Sequence, residues 1–348
     1  MMSGTALELG QLFMVGFRGA ALAADHWVVK AVRDQGLGGV ILFDRNVDGT
    51  VQNIESPAQL RRLVADLQHL ADQPLFIGID QEGGRVCRLK ERDGFAAYES
   101  AAALGRETAA VVDERAATVA AMLANCGVNL NFAPVVDLDL NPANPIISGY
   151  ERSFGGDTAA VATCASAWVE AHHRFGVGCC LKHFPGHGSA GEDSHQGFVD
   201  VTLCWQEVEL EPYRALLAAG YTDAIMTAHL VHCGLDPSGR PATLSPAIIT
   251  GLLRDQLGHE GVVFSDDLQM RAISDRWSYT EAVQQALLAG VDVLVVGNNL
   301  APCADAVTVG IRAVTDLLDS GRLNAKRIAQ SLARIALLKE RIAGKQPW

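Results

Sequence analysis

The chain lacks the sequence features of nucleic-acid-binding and membrane-spanning proteins. Its 28 lysines and arginines are outnumbered by 40 aspartates and glutamates, and the basic residues form neither a run nor a stripe interleaved with aromatic residues. No apolar stretch approaches the ~20 residues that cross a bilayer. The N-terminus has no basic region followed by a small-residue cleavage site. We therefore expect a cytoplasmic protein that binds neither nucleic acid nor membranes.

Motifs for metals and nucleotides are also missing. The 8 cysteines form no CxxC pair, and several lie inside apolar runs, which favours buried reduced thiols over a zinc site. No GxGxxG follows an apolar run, and no Gly-Lys-Ser/Thr opens a helix. From these absences we expect neither a bound metal nor a cofactor.

Short apolar runs alternate with segments of helical periodicity along the whole chain. The runs are almost continuously apolar, as strands buried on both faces of a parallel sheet are. The alternation predicts an α/β fold, a single (β/α)8 TIM-type barrel in one domain over residues 1–348; a doubly wound open sheet is the alternative. The apolar runs cover residues 12–17, 38–43, 75–80, 130–137, 176–183, 223–230, 261–267 and 292–298, and the clearest helical patterns cover 57–71, 108–127, 279–290 and 324–344.

Polar residues stand directly after most of the predicted strands. In a (β/α)8 barrel the functional side chains lie at these carboxyl ends of the strands, so their positions predict one shared site. The residues are Asp44 and Arg45, Asp80, Gln81 and Glu82, Asp137 and Asp139, Lys182 and His183, His229, Asp266 and Asp267, and Asn298 and Asn299.

The stretch 182–196, KHFPGHGSAGEDSHQ, places three histidines in a glycine-rich segment. His183 and His187 have the spacing of a zinc-binding pair, but a proline and a glycine between them prevent the helix that such a pair requires. Asp193 and His195 are two residues apart, so the carboxylate can fix the tautomer of the imidazole for acid–base chemistry. A solvated surface histidine is the alternative for His195.

The segment FSDDLQM, residues 264–270, places Asp266 and Asp267 at the end of a predicted strand. A carboxylate at this position can act as a nucleophile, a general base or a metal ligand. Capping of the following helix is the alternative role. The two aspartates can also divide these tasks between them.

The segment DQEGGRVCR, residues 80–88, ends an apolar run at Asp80 and continues through two glycines that permit an unusual backbone path. Its arginines, Arg85 and Arg88, could hold a polar ligand or pair with Glu82 in a structural ion-pair network. The segment RSFGGD, residues 152–157, adds an arginine in another loop.

Six of these motifs together resemble the family 3 glycoside hydrolases, and most closely the bacterial β-N-acetylglucosaminidases of that family. The motifs are IDQEGGRVCR, NFAPVVDLD, RSFGGD, LKHFPGHG, DSH and FSDDLQM. The resemblance extends from LGQLFMVGF near the N-terminus to the last predicted strand and helix. It implies a single barrel that hydrolyses terminal, non-reducing β-linked N-acetylglucosamine (GlcNAc) with retention of configuration.

The resemblance also implies roles for individual residues. Asp266, the first aspartate of the SDD motif, would be the nucleophile that forms a covalent glycosyl ester. His195 would be the acid/base, assisted by Asp193. From the glycines that flank residues 186–194 we add the hypothesis that this loop swings His195 in and out of the site. The sugar would be bound by Asp80, Arg88, Arg152, Lys182 and His183.

The first hypothesis for the substrate is a peptidoglycan fragment, GlcNAc linked to 1,6-anhydro-MurNAc with or without a peptide, cleaved in the cytoplasm during cell-wall recycling. We expect the chain to act as a monomer. Other readings remain open at this point. They are a broader β-glucosidase or hexosaminidase, and a glycoside phosphorylase, because an imidazole repels phosphate less than a carboxylate does. More remote are a metal-dependent barrel hydrolase and a sugar-binding protein without turnover.

Overall fold

Parallel strands form the centre of the fold in the computed structural model, which describes residues 8–194 and 196–343. All strands but β6 and β8 form one parallel sheet in the order β10, β1, β2, β3, β4, β5, β7, β9. The strands of the described ranges are β1 (Phe13–Val15), β2 (Gly39–Leu42), β3 (Phe76–Ile79), β4 (Leu130–Asn131), β5 (Gly178–Phe184), β6 (Val199–Asp200), β7 (Ala224–Thr227), β8 (Leu230–Val231), β9 (Val262–Phe264) and β10 (Leu294–Val296).

The sheet closes on itself between its first and last strands. Phe264 at the end of β9 forms a parallel bridge with Val293, which directly precedes β10. The backbone N–H of Ser265 donates to the carbonyl of Val293 at 2.9 Å. The predicted (β/α)8 barrel is therefore confirmed, and the alternative of an open, doubly wound sheet is wrong.

Helices surround the barrel and begin at residues that can cap them. Ser56, Thr108, Asp157 and Ser278 each accept a hydrogen bond from the backbone N–H three residues further on. The helices are α1 (Trp27–Gln35), α2 (Pro57–Leu70), α3 (Ala101–Leu104), α4 (Ala109–Asn125), α5 (Thr158–Arg174), α6 (Glu211–Ala218), α7 (Arg271–Ser274), α8 (Tyr279–Ala289), α9 (Ala306–Asp319) and α10 (Ala325–Ala343), and a segment with π-helical hydrogen bonding covers Ala247–Gln256. None of the helices in the described ranges is both long and apolar enough to cross a bilayer.

Aromatic side chains fill the barrel interior. The ring of Phe264 lies edge-on to those of Phe76 and Phe132, at centroid distances of 5.8 Å and 5.5 Å, and all three side chains are fully buried. Truncating such a core phenylalanine to alanine costs about 3–5 kcal/mol. This filled interior is a rigid support for the loops at the carboxyl ends of the strands.

The small sheet formed by β6 and β8 stands beside the loop that follows β5. It buries Val199 and Leu230 in an apolar cluster that also contains Ala190 of that loop, with Trp205 packed against it. Strands of only two residues carry no alternation pattern, so the sequence did not predict them. The sheet supports the segment that leads to Asp193.

Candidate active site

A cavity of about 380 Å³ opens at the carboxyl ends of the barrel strands. Its walls bring together residues that are far apart in the chain, as the barrel predicts. The eighth predicted residue, His195, lies outside the described residues. The other predicted site residues all line this cavity: Asp80, Arg88, Arg152, Lys182, His183, Asp193 and Asp266.

One wall of the cavity is a network of buried and half-buried ion pairs. The Nζ atom of Lys182 lies 2.8 Å from Asp80 Oδ1 and 2.7 Å from Glu82 Oε1. Arg152 donates two parallel hydrogen bonds to the same Glu82 carboxylate, from Nε at 2.7 Å and from Nη2 at 2.8 Å. Arg88 Nη2 lies 3.3 Å from Asp80 Oδ2. Two carboxylates and three cations thus form one fixed constellation.

The members of this network keep each other ionised. Burial opposes the charge on Asp80, but Lys182 and Arg88 outweigh it and hold the pKa of this carboxyl well below its usual range. Burial also opposes the charge on Glu82, yet Arg152 and Lys182 lower its pKa. Lys182 is the converse case, because burial would lower its pKa while Asp80 and Glu82 raise it. Charged groups held in this way form strong hydrogen bonds with hydroxyl groups.

His183 is oriented by a second buried carboxylate, that of Asp137. The ring Nδ1 lies 2.7 Å from Asp137 Oδ2, and the backbone N–H groups of His183 and His187 donate to the same carboxylate at 3.1 Å and 2.8 Å from Oδ1. Burial opposes the charge on Asp137, but its contacts with His183 and His187 lower its pKa. Arg152 Nη2 lies 3.2 Å from His183 Nε2. Because a guanidinium only donates, Nε2 accepts and Nδ1 carries the proton.

The pairing of Glu82 excludes one of the two alternatives that the sequence left open for Arg85 and Arg88. Glu82 pairs with Arg152 and Lys182, not with Arg85 or Arg88. The reason is the turn at the glycines that follow Glu82, where the backbone has φ angles of 97° and 56°. A side chain at the first of these glycines would stand 2.1 Å from the carbonyl of Glu99. This turn separates Glu82 from both arginines of its own loop.

The two aspartates after β9 differ in their surroundings. Both line the cavity, but their hydrogen bonds differ: Asp266 Oδ1 accepts the backbone N–H of Asp267 at 2.8 Å. The Oδ1 atom of Asp267 accepts the backbone N–H groups of Gln269 and Gly297, each at 3.0 Å, and so ties the end of β9 to the end of β10. His229 Nε2 donates to the Asp267 carbonyl at 2.9 Å. Asp267 therefore positions the loop that presents Asp266.

The loop after β5 is anchored in its first half. Gly188 donates its N–H to Glu209 Oε2 at 2.8 Å, and Asn141 Nδ2 donates to the Ala190 carbonyl at 3.0 Å. Residues 186–190 are buried, whereas the chain from 191 to Asp193 is exposed or half-buried. The predicted loop movement stays a prediction, and the two anchoring contacts lie in the part of the loop up to Ala190.

The family model described as "Glycosyl hydrolase family 3 N terminal domain" matches residues 5–338. The chain belongs to glycosyl hydrolase family 3. The family predicted from the six motifs is therefore confirmed.

Named relatives of this family 3 chain share about a third of its residues. "Beta-hexosaminidase A" of Pseudoalteromonas piscicida is 36% identical over 325 residues, which cover 88% of this chain and 54% of that protein. "Beta-hexosaminidase" of Tolumonas auensis is 37% identical over 294 residues, with 83% of each chain covered. These names support the predicted enzyme class.

A solved family 3 β-N-acetylglucosaminidase from Paenibacillus sp. str. FPU-7 superposes with a TM-score of 0.90 at 36% identity. The superposition covers 100% of this chain and 64% of the Paenibacillus chain. The family 3 chain thus spans only about half to two thirds of two of the three proteins. Within residues 8–194 and 196–343, no group of three or more His, Cys, Asp or Glu side chains could hold a metal ion.

Proposed function

We propose that this family 3 chain is a retaining exo-β-N-acetylglucosaminidase that releases GlcNAc from the non-reducing end of its substrates. The observation that carries the proposal is the cavity in which Asp266 and Asp193 line the same space as the ion-pair network around Lys182. The names of the relatives support the choice of GlcNAc over glucose.

The proposed chemistry proceeds in two steps. Asp266 attacks the anomeric carbon and forms a covalent glycosyl ester while the glycosidic bond breaks and the leaving oxygen takes a proton from His195. His195 then removes a proton from water, whose oxygen attacks the same carbon and releases Asp266. Asp193, which lines the cavity, would favour the protonated imidazole in the first step.

The ion-pair network would hold the sugar. Lys182 is fixed by Asp80, and Arg152 by Glu82, before substrate arrives, so little reorganisation is needed when these groups bind hydroxyl groups. His183, oriented by Asp137, adds a polar edge to the same wall. Binding of remote hydroxyls in this manner places the anomeric carbon against Asp266.

The proposed natural substrate is a peptidoglycan fragment, GlcNAc linked to 1,6-anhydro-MurNAc with or without a peptide, cleaved by a monomer in the cytoplasm. The support for it is the resemblance of the site motifs to the bacterial β-N-acetylglucosaminidases. The cavity volume of about 380 Å³ lies at the small end of the range for ligand pockets, which suits one terminal sugar.

Release of 4-nitrophenol from its β-GlcNAc and β-glucose derivatives tests the function. We expect turnover of the GlcNAc compound, its near-complete loss in Asp266→Asn, and no loss in Asp255→Asn, an exposed aspartate outside the cavity. A fluorinated GlcNAc donor should leave a sugar adduct on the peptide containing Asp266. Full turnover by Asp266→Asn would overturn the assignment of Asp266 as the nucleophile. Preferred cleavage of the glucoside would overturn the proposed specificity for GlcNAc. Formation of GlcNAc 1-phosphate in phosphate buffer would indicate a phosphorylase.

A further inference from the structure

The mouth of the cavity carries a cation that the chemistry above does not use. The Cζ atom of Arg85 lies 4.1 Å from the centroid of the Tyr150 ring, and both residues line the cavity. Arg85 belongs to the loop after β3, whereas Tyr150 ends a short 3₁₀ turn after β4. Two loops therefore meet at this point of the rim.

Arg85 differs from the other arginines of the cavity wall in its partners. Within residues 8–194 and 196–343 no carboxylate lies in ion-pair distance of Arg85, and its side chain is exposed. Each of the other arginines faces a carboxylate: Arg45 lies 2.7 Å from Asp93, Arg88 lies 3.3 Å from Asp80, and Arg152 lies 2.7 Å from Glu82. The positive charge of Arg85 is thus available at the entrance to the site.

The floor and the rim of the cavity differ in exposure. The side chain of Lys182 is 2% exposed, whereas Tyr150 is 37% and Leu300 is 46% exposed. A terminal sugar held by the buried network occupies the floor, so the group to which it is linked must extend past the rim. Arg85 and Tyr150 lie where that leaving group passes.

We propose that Arg85, held against Tyr150, binds a carboxylate on the leaving group and gives the enzyme a preference for anionic leaving groups. The inference rests on the proposed function. A guanidinium offers paired N–H donors that match a carboxylate, and stacking on an aromatic ring restricts its orientation before binding. The carboxylate can be that of a lactyl group on the second sugar or that of a peptide attached to it.

Matched disaccharides test the preference. Three forms of GlcNAc β-linked to MurNAc would be compared. In the first the lactyl carboxylate is free, in the second it is converted to its amide, and in the third it is joined to a short peptide that ends in a carboxylate. We expect Arg85→Gln to lower the ratio of kcat/KM for acid over amide about fivefold, the scale of one exposed ion pair. Arg62→Gln, an exposed arginine on α2, should leave the ratio unchanged.

Two further variants separate the ring from the charge. Tyr150→Ala should lower the acid-to-amide ratio because it frees the guanidinium, whereas Tyr150→Phe keeps the ring and should preserve the ratio. Sensitivity of the lactyl acid, the peptide acid or both to Arg85→Gln supports the proposal and identifies the source of the carboxylate. An unchanged ratio for both acids overturns it. If the unmodified enzyme fails to release GlcNAc from the 4-nitrophenyl compound, the proposed function itself is wrong.

Discussion

Arg152 and Glu82 face each other in the cavity wall with two parallel hydrogen bonds, at 2.7 Å and 2.8 Å. Lys182 approaches the same carboxylate at 2.7 Å, and the Glu82 side chain is only 3% exposed. One carboxylate thus compensates two buried cations. Removing one member of such a cluster leaves uncompensated charge inside the protein, which costs far more than an exposed ion pair contributes.

Glu82→Gln should therefore lower the free energy of unfolding by about 3–5 kcal/mol, measured by denaturant titration. Glu99→Gln is the control, because the pair of Glu99 with Arg115 is exposed on both sides and its atoms are 3.5 Å apart. That control should change the free energy by less than about 1 kcal/mol. Equal, small changes in both variants would contradict a structural role for Glu82.

The barrel could be predicted because its strands are continuously apolar and its helices carry clear starting residues. The apolar run 75–80 contains β3, Phe76–Ile79, and the helical pattern 57–71 corresponds to α2, Pro57–Leu70. The two-residue strands β6 and β8 could not be predicted, since so short a segment has no periodicity. Their pairing depends on how the loops after two barrel strands meet.

The location of the site could be predicted, but the contacts between its side chains could not. Strand-end positions placed Glu82 and Asp137 near the cavity without showing that Glu82 pairs with Arg152 or that Asp137 orients His183. These contacts join residues 70 and 46 positions apart in the chain. Glu209 carried no sequence signal at all, because its contact with the β5 loop exists only in the folded barrel.

Asp137→Asn should impair binding through His183. The amide keeps the size of the carboxylate but removes its negative charge. That charge strengthens the hydrogen bond from His183 Nδ1 to Asp137 Oδ2, at 2.7 Å, and the hydrogen bond from the backbone N–H of His187. Loss of a hydrogen bond to a charged group corresponds to about 1.5–3 kcal/mol, so kcat/KM for the 4-nitrophenyl GlcNAc compound should fall about tenfold or more. Asp139→Asn on the same loop is the control, and an equal loss in both variants would speak against the orienting role.

Glu209 should make stability depend on pH. Burial, reinforced by Asp137, raises the pKa of this carboxyl from 4.5 to about 7 in the folded protein. The folded chain then binds a proton more tightly than the unfolded chain, so the stabilisation is present at low pH and is lost as the pH rises from about 4.5 to about 7. In denaturant titrations across the pH range, Glu209→Gln should reduce this decline in the free energy of unfolding. Glu207→Gln, whose side chain is 76% exposed, should reproduce the unmodified curve, and a decline that persists in Glu209→Gln would assign it to another group.

The acid role proposed for His195 predicts a dependence on the leaving group. A good leaving group such as 4-nitrophenol departs with little protonation, whereas a sugar alcohol requires it. General acid catalysis contributes about 10²–10⁴-fold, so His195→Ala should lose a factor of this order with a disaccharide and much less with the 4-nitrophenyl compound. Asp193→Asn should show the same selectivity in weaker form, because its carboxylate lines the cavity and would favour the protonated imidazole.

Glu192→Gln provides the matched control for Asp193→Asn, since Glu192 is the exposed neighbour in the same loop. Its rates with both substrates should stay within about twofold of the unmodified enzyme, because exposed substitutions away from a site have small effects. If His195→Ala loses activity equally with good and poor leaving groups, protonation of the leaving oxygen is not its task. The loop beyond Ala190 would then serve in binding, and the acid would have to be sought among the other groups of the cavity wall.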